Sequence, residues 1–99
     1  MKRRRLVIIP DALKEIDEAA AWYKPRRRFL ARDFVDTVNA GIQAIAENPE
    51  RFPFREGQAR HLVLPRFPYS IIYKVTDDHV IILSCFHDRR DPAEWRRRL

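Results

Sequence analysis

Seven prolines, Pro10, Pro25, Pro49, Pro53, Pro65, Pro68 and Pro92, cut this 99-residue chain into short segments and leave few folds open. A proline lacks the backbone N–H and drives the residue before it out of the helical region, so each one marks a boundary. Leu6-Val7-Ile8-Ile9 is a β-branched run closed by Pro10 and predicts a strand. Asp11 stands where a helix N-cap belongs. Leu13, Ile16, Ala19, Ala20 and Tyr23 then recur at helical spacing, with Lys14, Glu15, Asp17 and Glu18 on the other side, until Lys24-Pro25. Leu30, Phe34, Val38, Ile42 and Ile45 form a second stripe that stops at Asn48-Pro49. The short link predicts an antiparallel helical hairpin. Ala19, Ala20, Gly41 and Ala44 would let the two helices approach closely. That return would offset the roughly 1 kcal/mol that a helical glycine costs relative to alanine.

Residues 50–59 read as a loop, followed by strands over 60–64, 69–75 and 79–86, with Asp77-Asp78 turning the last two into a hairpin. Both hairpin strands carry apolar residues at consecutive positions (Ile71-Ile72, Ile81-Ile82), so both sheet faces need cover. One face is expected to take the helices. The other takes either a partner or the first strand and the tail. The order β-α-α-β-β-β predicts an α+β domain over residues 1–99, a helical hairpin packed on a small, mostly antiparallel sheet. At the end, Asp91-Pro92-Ala93-Glu94 reads as N-cap, N1 and N3 of a short helix, with Arg96, Arg97 and Arg98 at its negative end. So short a helix holds only if Trp95 docks on the body.

A chain this long buries about 60–65% of its unfolded surface, enough for one modest core. Twenty Lys and Arg against fourteen Asp and Glu give a net charge of +6, which points to an anionic partner. The single Cys85 excludes an internal disulfide and fits a buried thiol in a reducing cytoplasm. The basic start Met1-Lys2-Arg3-Arg4-Arg5 has the look of a signal-peptide n-region, but the apolar run after it is too short. No segment approaches the ~20 apolar residues of a membrane span. Three scattered histidines and one cysteine predict no metal site, and no cofactor is expected.

The exit of the last strand, His87-Asp88-Arg89-Arg90, is the candidate functional segment. Capping accounts for Asp91 but not for His87, Arg89 or Arg90. Arg60, His61 and Lys74 lie on the strands expected to flank this one, and Trp95 and Arg96 follow in the tail. Trp and Arg are frequent binding hot spots. The predicted target-binding set is therefore Arg60, Lys74, His87, Arg89, Arg90, Trp95 and Arg96.

The order of elements, the "AENPERFP" exit of the helical hairpin, "FPYSIIYKV" and the His-x-x-Arg-Asp-Pro-x-x-Trp tail together resemble the RelE/ParE superfamily of type II toxins, most closely its ParE-like, plasmid-stabilisation branch. The resemblance implies a small basic toxin neutralised in a hetero-oligomer by a cognate antitoxin, whose acidic, amphipathic segment wraps it. It also implies one of two targets. RelE-like members cleave mRNA on the ribosome, and ParE-like members poison DNA gyrase without catalysis. A metal-independent ribonuclease would draw on Arg60, His87 and Arg89 for proton transfer and phosphate clamping. Many ribonuclease members carry a phosphate-facing arginine where this chain has Ser70, a change that favours the gyrase reading. A non-toxic nucleic-acid-binding module is the remaining class, and no helix-turn-helix, RNA-recognition motif or zinc spacing supports it.

Overall fold

The structure, a computed structural model, describes residues 3–99, and Met1 and Lys2 of the basic start lie outside the described residues. The elements are β1 (Arg5–Ile8), α1 (Pro10–Tyr23), α2 (Arg28–Glu47), β2 (Phe54–Glu56), β3 (Ala59–Val63), β4 (Tyr69–Val75), β5 (His79–His87) and α3 (Ala93–Arg96). The strands form one sheet in the order β1-β5-β4-β3-β2. β1 runs parallel to β5 and every other pair is antiparallel. The expected α+β layout is present, with one strand more than the sequence announced. Residues 50–59 are not all loop: β2 pairs with β3 through Phe54–Arg60 and Glu56–Ala59, around Gly57 at φ 53°. That positive φ is a conformation glycine adopts without strain.

The helix starts differ from the sequence expectation. Ile9 is the N-cap of α1 and Pro10 occupies the first turn with Asp11, whose side chain caps nothing. Proline at the first helical position has no N–H to leave unpaired, so the helix begins before the expected cap. On α1 the buried residues are Ala12 and Ala19, whereas Leu13 is exposed. On α2 the predicted stripe holds: Phe34, Val38, Ile42 and Ile45 are all buried. Gly41 serves the sheet and not the other helix. A Cβ there would lie 2.9 Å from Ile71 Cδ1 and 3.3 Å from Leu62 Cδ2.

The two cores divide the sheet cleanly. Phe34, Val38, Ile45, Ile71, Tyr73, Val80, Ile82 and Cys85 fill the helix side, and Ala59, Ile72, Leu83, Phe86 and Trp95 fill the other. One extra residue in β5 makes this possible. Ile72 pairs with Ser84 and Tyr73 with Ile82, so Leu83 has no partner across the ladder. Such a bulge shifts the side-chain alternation by one and lets an unbroken apolar run supply both faces. The second face is covered by the tail: Trp95 on α3 is 1% exposed. β1 lies at the sheet edge and contributes no layer there. Asp91 accepts the Ala93 N–H (3.0 Å) at the entry to α3, but the N-cap is Pro92, one residue later than the sequence expectation.

β1 accompanies β5 only as far as the bond from Ile9 N–H to Ile82 C=O. Beyond that point two side chains replace the missing strand. Arg98 donates to Leu83 C=O (2.8 Å), and Glu15 accepts the Cys85 N–H (3.2 Å). Glu15 also accepts from the Ser84 hydroxyl (2.8 Å) and pairs with Arg98 (2.9 Å). Their side chains are only 11% and 16% exposed, so either charge left alone would be unpaired in a poorly solvated site. Arg98→Met is therefore expected to lower the unfolding free energy by about 3 kcal/mol in urea titrations. Combining it with Glu15→Gln should recover part of that loss, because no bare carboxylate remains.

Burial, and secondarily the Glu15 charge, push the Cys85 thiol from 9.0 up to about 12. Burial also raises Tyr23, Tyr69 and Tyr73 above 10.0. All four favour the protonated form in the folded chain. The stability they contribute is present below their unfolded values and is lost as pH rises through the folded ones. Unfolding free energy should therefore decline above about pH 9, and Cys85→Ala should remove the first part of the decline.

Candidate functional site

The sequence-predicted cations do not converge. Arg60 sits opposite Tyr73 and His87 opposite Tyr69, on the two strands flanking β4. This spacing separates them by roughly 13 Å along the strands and about 10 Å across them. Arg60 turns its guanidinium inward, donating to Glu50 C=O (3.1 Å) and Phe52 C=O (2.7 Å) and lying over the Phe54 ring. Tyr73 donates to Pro49 C=O (2.6 Å) in the same loop. Arg60 is thus a staple between the exit of α2 and the sheet. Lys74 pairs with Ile81 near the same end, but its alternation places it on the α3 side. Trp95 is core and presents no surface. Arg96 is bound to Glu56 of β2, tying the tail to the far hairpin.

His87, Arg89 and Arg90 do stay together where β5 leaves the sheet. The segment is fixed to the start of β4: Asp88 N–H bonds to Pro68 C=O (2.9 Å) and the Ser70 hydroxyl to Asp88 (2.9 Å). His87 packs edge-on to Tyr69 with ring centroids 4.9 Å apart, and its Nδ1 accepts the Arg89 N–H (3.1 Å). His87 and Arg90 form one wall of a cleft of about 540 Å³, with Tyr69 and Cys85 in its lining and Glu15, Glu18, Trp22 and Tyr23 of α1 opposite. The sequence stripe treated α1 as a core helix and gave no sign that Glu15, Glu18 and Trp22 face His87. Only folding β5 beneath α1 brings them there.

The cleft gathers an imidazole, two phenols, a thiol, two carboxylates and a guanidinium. Cys85 stays a thiol because burial disfavours the thiolate, so it is no nucleophile. Burial raises Tyr69 as well, with the Arg90 charge opposing, so its phenol remains a donor. Asp88, the carboxylate next to His87 in sequence, is committed to Ser70. Ser70 itself is 1% exposed, so the position that carries a phosphate-facing arginine in many ribonucleases lies inside the fold here. On that α3-side face His61 pairs with Ile72, and burial, with help from Arg55, lowers its pKa against the opposing pull of Asp88.

A second concavity, also about 540 Å³, runs between α2 and β3; Ala40, Gly41, Phe52, Leu62, Val63 and Leu64 line it together with the polar Asp33, Asp36, Thr37 and Arg66. β2 reaches only to Arg60, and Pro53 C=O takes the His61 N–H (3.1 Å). Past that bond, among the described residues, the outer edge of β3 has no strand beside it, and Val63 is 60% exposed. An apolar groove beside an open strand edge suits an extended or helical segment of another chain. Arg66, in the loop after β3, holds a positive φ of 66° that a non-glycine residue adopts only at some cost.

Over residues 6–92 the chain matches the family described as the ParE toxin of the type II toxin–antitoxin system, parDE. The Y4kP protein of Sinorhizobium fredii (strain NBRC 101917 / NGR234) is 33% identical over 88 residues, covering 88% of this chain and 91% of that protein. The fold is shared with a structure of the chromosomal ParDE TA system from P. aeruginosa, at a TM-score of 0.78 and 18% identity, covering 88% of this chain and 98% of that one. A family match across most of the sequence, joined to the hairpin-on-sheet layout and the basic exit of β5, makes this chain a member of the ParE toxin family of type II toxin–antitoxin systems.

Proposed function

We propose that this toxin acts in the cytoplasm by binding and poisoning DNA gyrase, and that a cognate antitoxin, acidic and amphipathic, neutralises it in a hetero-oligomer. Buried Ser70, bonded to Asp88, is the observation that carries the gyrase reading. Phosphoryl chemistry needs a preorganised cation at the reacting phosphate. The chain has a committed hydroxyl there, and its nearest catalytic candidates, Arg60 and His87, stand at opposite ends of β4. A poison needs a rigid surface instead. His87, Arg89 and Arg90, anchored through Asp88 to β4, form its centre. Arg60, Trp95 and Arg96 hold the scaffold: Arg60 fastens the α2 exit to β3, Trp95 the tail to the sheet, and Arg96 the tail to β2.

The groove between α2 and β3 is the proposed seat of the antitoxin. Its apolar lining fits the greasy face of an amphipathic segment; Asp33 and Asp36 border it, so acidic residues of that segment would meet cations outside the groove. Membership in a toxin–antitoxin family supports such a partner.

Expression of the chain alone should arrest growth. The purified protein should inhibit gyrase supercoiling or accumulate cleaved DNA–gyrase complexes, and leave mRNA on ribosomes uncut. Arg89→Ala with Arg90→Ala should raise the concentration needed by at least tenfold, the scale of one or two lost hot-spot contacts. Ribosome-dependent mRNA cleavage abolished by His87→Ala would reverse the assignment. In the groove, Ala40→Asp should prevent neutralisation by the co-expressed antitoxin while growth arrest persists, because it sets a charge at an exposed lining position of the apolar seat and leaves the β5 exit untouched.

A further inference from the structure

The turn of the helical hairpin holds a concentration of charge that the fold does not use. Lys24, Arg26, Arg27, Arg28 and Arg32 are all exposed, as are Trp22 and Phe29, which is 79% exposed. Among the described residues none of these five cations forms an ion pair. Arg26 alone has an internal task. It stacks over the Trp22 ring at 3.7 Å and donates to Trp22 C=O (2.6 Å). Arg27 and Arg28 stand at the positive end of the 20-residue α2, which has no acidic residue in its first turn and no side-chain cap. Cations there oppose the helix dipole. Arg28 and Arg32 are four residues apart, a spacing at which like charges repel. Folding disfavours this arrangement, so it points to an external ligand.

The chemistry of the patch narrows that ligand. Four of the five cations are arginines, whose planar forks match phosphate oxygens, and two exposed rings lie among them. Cations that follow a backbone and aromatic faces that stack on bases make up a single-stranded nucleic-acid surface. The patch is also continuous with the cleft. Trp22 belongs to both, and opposite it stand His87 and Arg90. Glu15 and Glu18, one to two turns back along α1, close the inner end.

We propose that the α1–α2 turn, with Trp22 and Phe29, binds single-stranded nucleic acid along a track leading from Arg27 and Arg28 across Trp22 to the rim of the His87 cleft. This goes beyond the gyrase reading and is tested without gyrase.

The probe is a fluorescein-labelled 20-nucleotide oligothymidylate, with binding to the full chain read by anisotropy at several salt concentrations. Arg27→Gln/Arg28→Gln/Arg32→Gln should weaken binding at least tenfold and flatten the log–log salt slope by about 2, at about 0.7 per lost phosphate contact. Thermal unfolding monitors the fold, which should not weaken because these charges oppose α2. Arg3→Gln/Arg51→Gln/Arg97→Gln removes the same charge from exposed positions elsewhere and should leave binding within twofold. Trp22→Ala and Phe29→Ala should each weaken oligothymidylate binding while leaving a duplex of the same length unaffected. The proposal is overturned if both triple variants weaken binding equally, since charge alone would then be responsible. Equal affinity for polyglutamate of matched length would overturn it too, as would binding confined to phosphatidylserine vesicles.

Discussion

The Glu15–Arg98 pair is the contact on which the architecture turns. β5 is the second strand of the sheet, yet β1 covers only its first half. A bare strand edge at that position would invite pairing with another chain. The pair answers with one acceptor and one donor, Glu15 for the Cys85 N–H and Arg98 for Leu83 C=O, in the places where a neighbouring backbone would supply them. Because Glu15 comes from α1 and Arg98 from the last residues of the chain, the same contact fastens the tail to the helical hairpin.

That fastening explains how a one-turn helix persists. α3 spans Ala93–Arg96, far too short to be stable by its own hydrogen bonds. It is held at three points: Trp95 in the core beneath it, Arg96 on Glu56, and Arg98 on Glu15. The tail, through Trp95, covers the Ile72, Leu83 and Phe86 part of the second face of the sheet. The apolar surplus of β4 and β5 is thus an intramolecular requirement, and the outward-facing apolar surface lies instead at Val63, Phe54 and Phe29.

Much of the fold was legible because its signals are local. Prolines and a 3.6-residue stripe marked both helices, and alternating apolar runs marked β3, β4 and β5 to within a residue or two. β2 was hidden because three exposed residues carry no buried pattern. The bulge at Leu83 was hidden because register depends on the partner strand. The site was less legible for the same kind of reason. His87, Arg89 and Arg90 are neighbours in sequence and remain so in space, whereas grouping Arg60 with them required a register in which it faced the same end. Trp95 was read both as a dock and as a hot spot. One ring cannot do both, and the core claims it.

How the cations are used separates a scaffold from a surface. Arg60, Arg96 and Arg98 are bonded to named groups of the fold, Arg96 at the surface, whereas Arg27, Arg28 and Arg32 make no ion pair among the described residues. A net charge of +6 counts both kinds equally and so overstates what is available to a partner. With the committed arginines set aside, one cluster of unpaired positive charge among the described residues remains around the hairpin turn and another at the exit of β5, with Trp22 between them. The apolar groove lies along α2 and β3, away from the β5 exit. On the proposed reading, with an anionic target at one surface and an amphipathic inhibitor at the other, that separation lets each surface change without rebuilding the other.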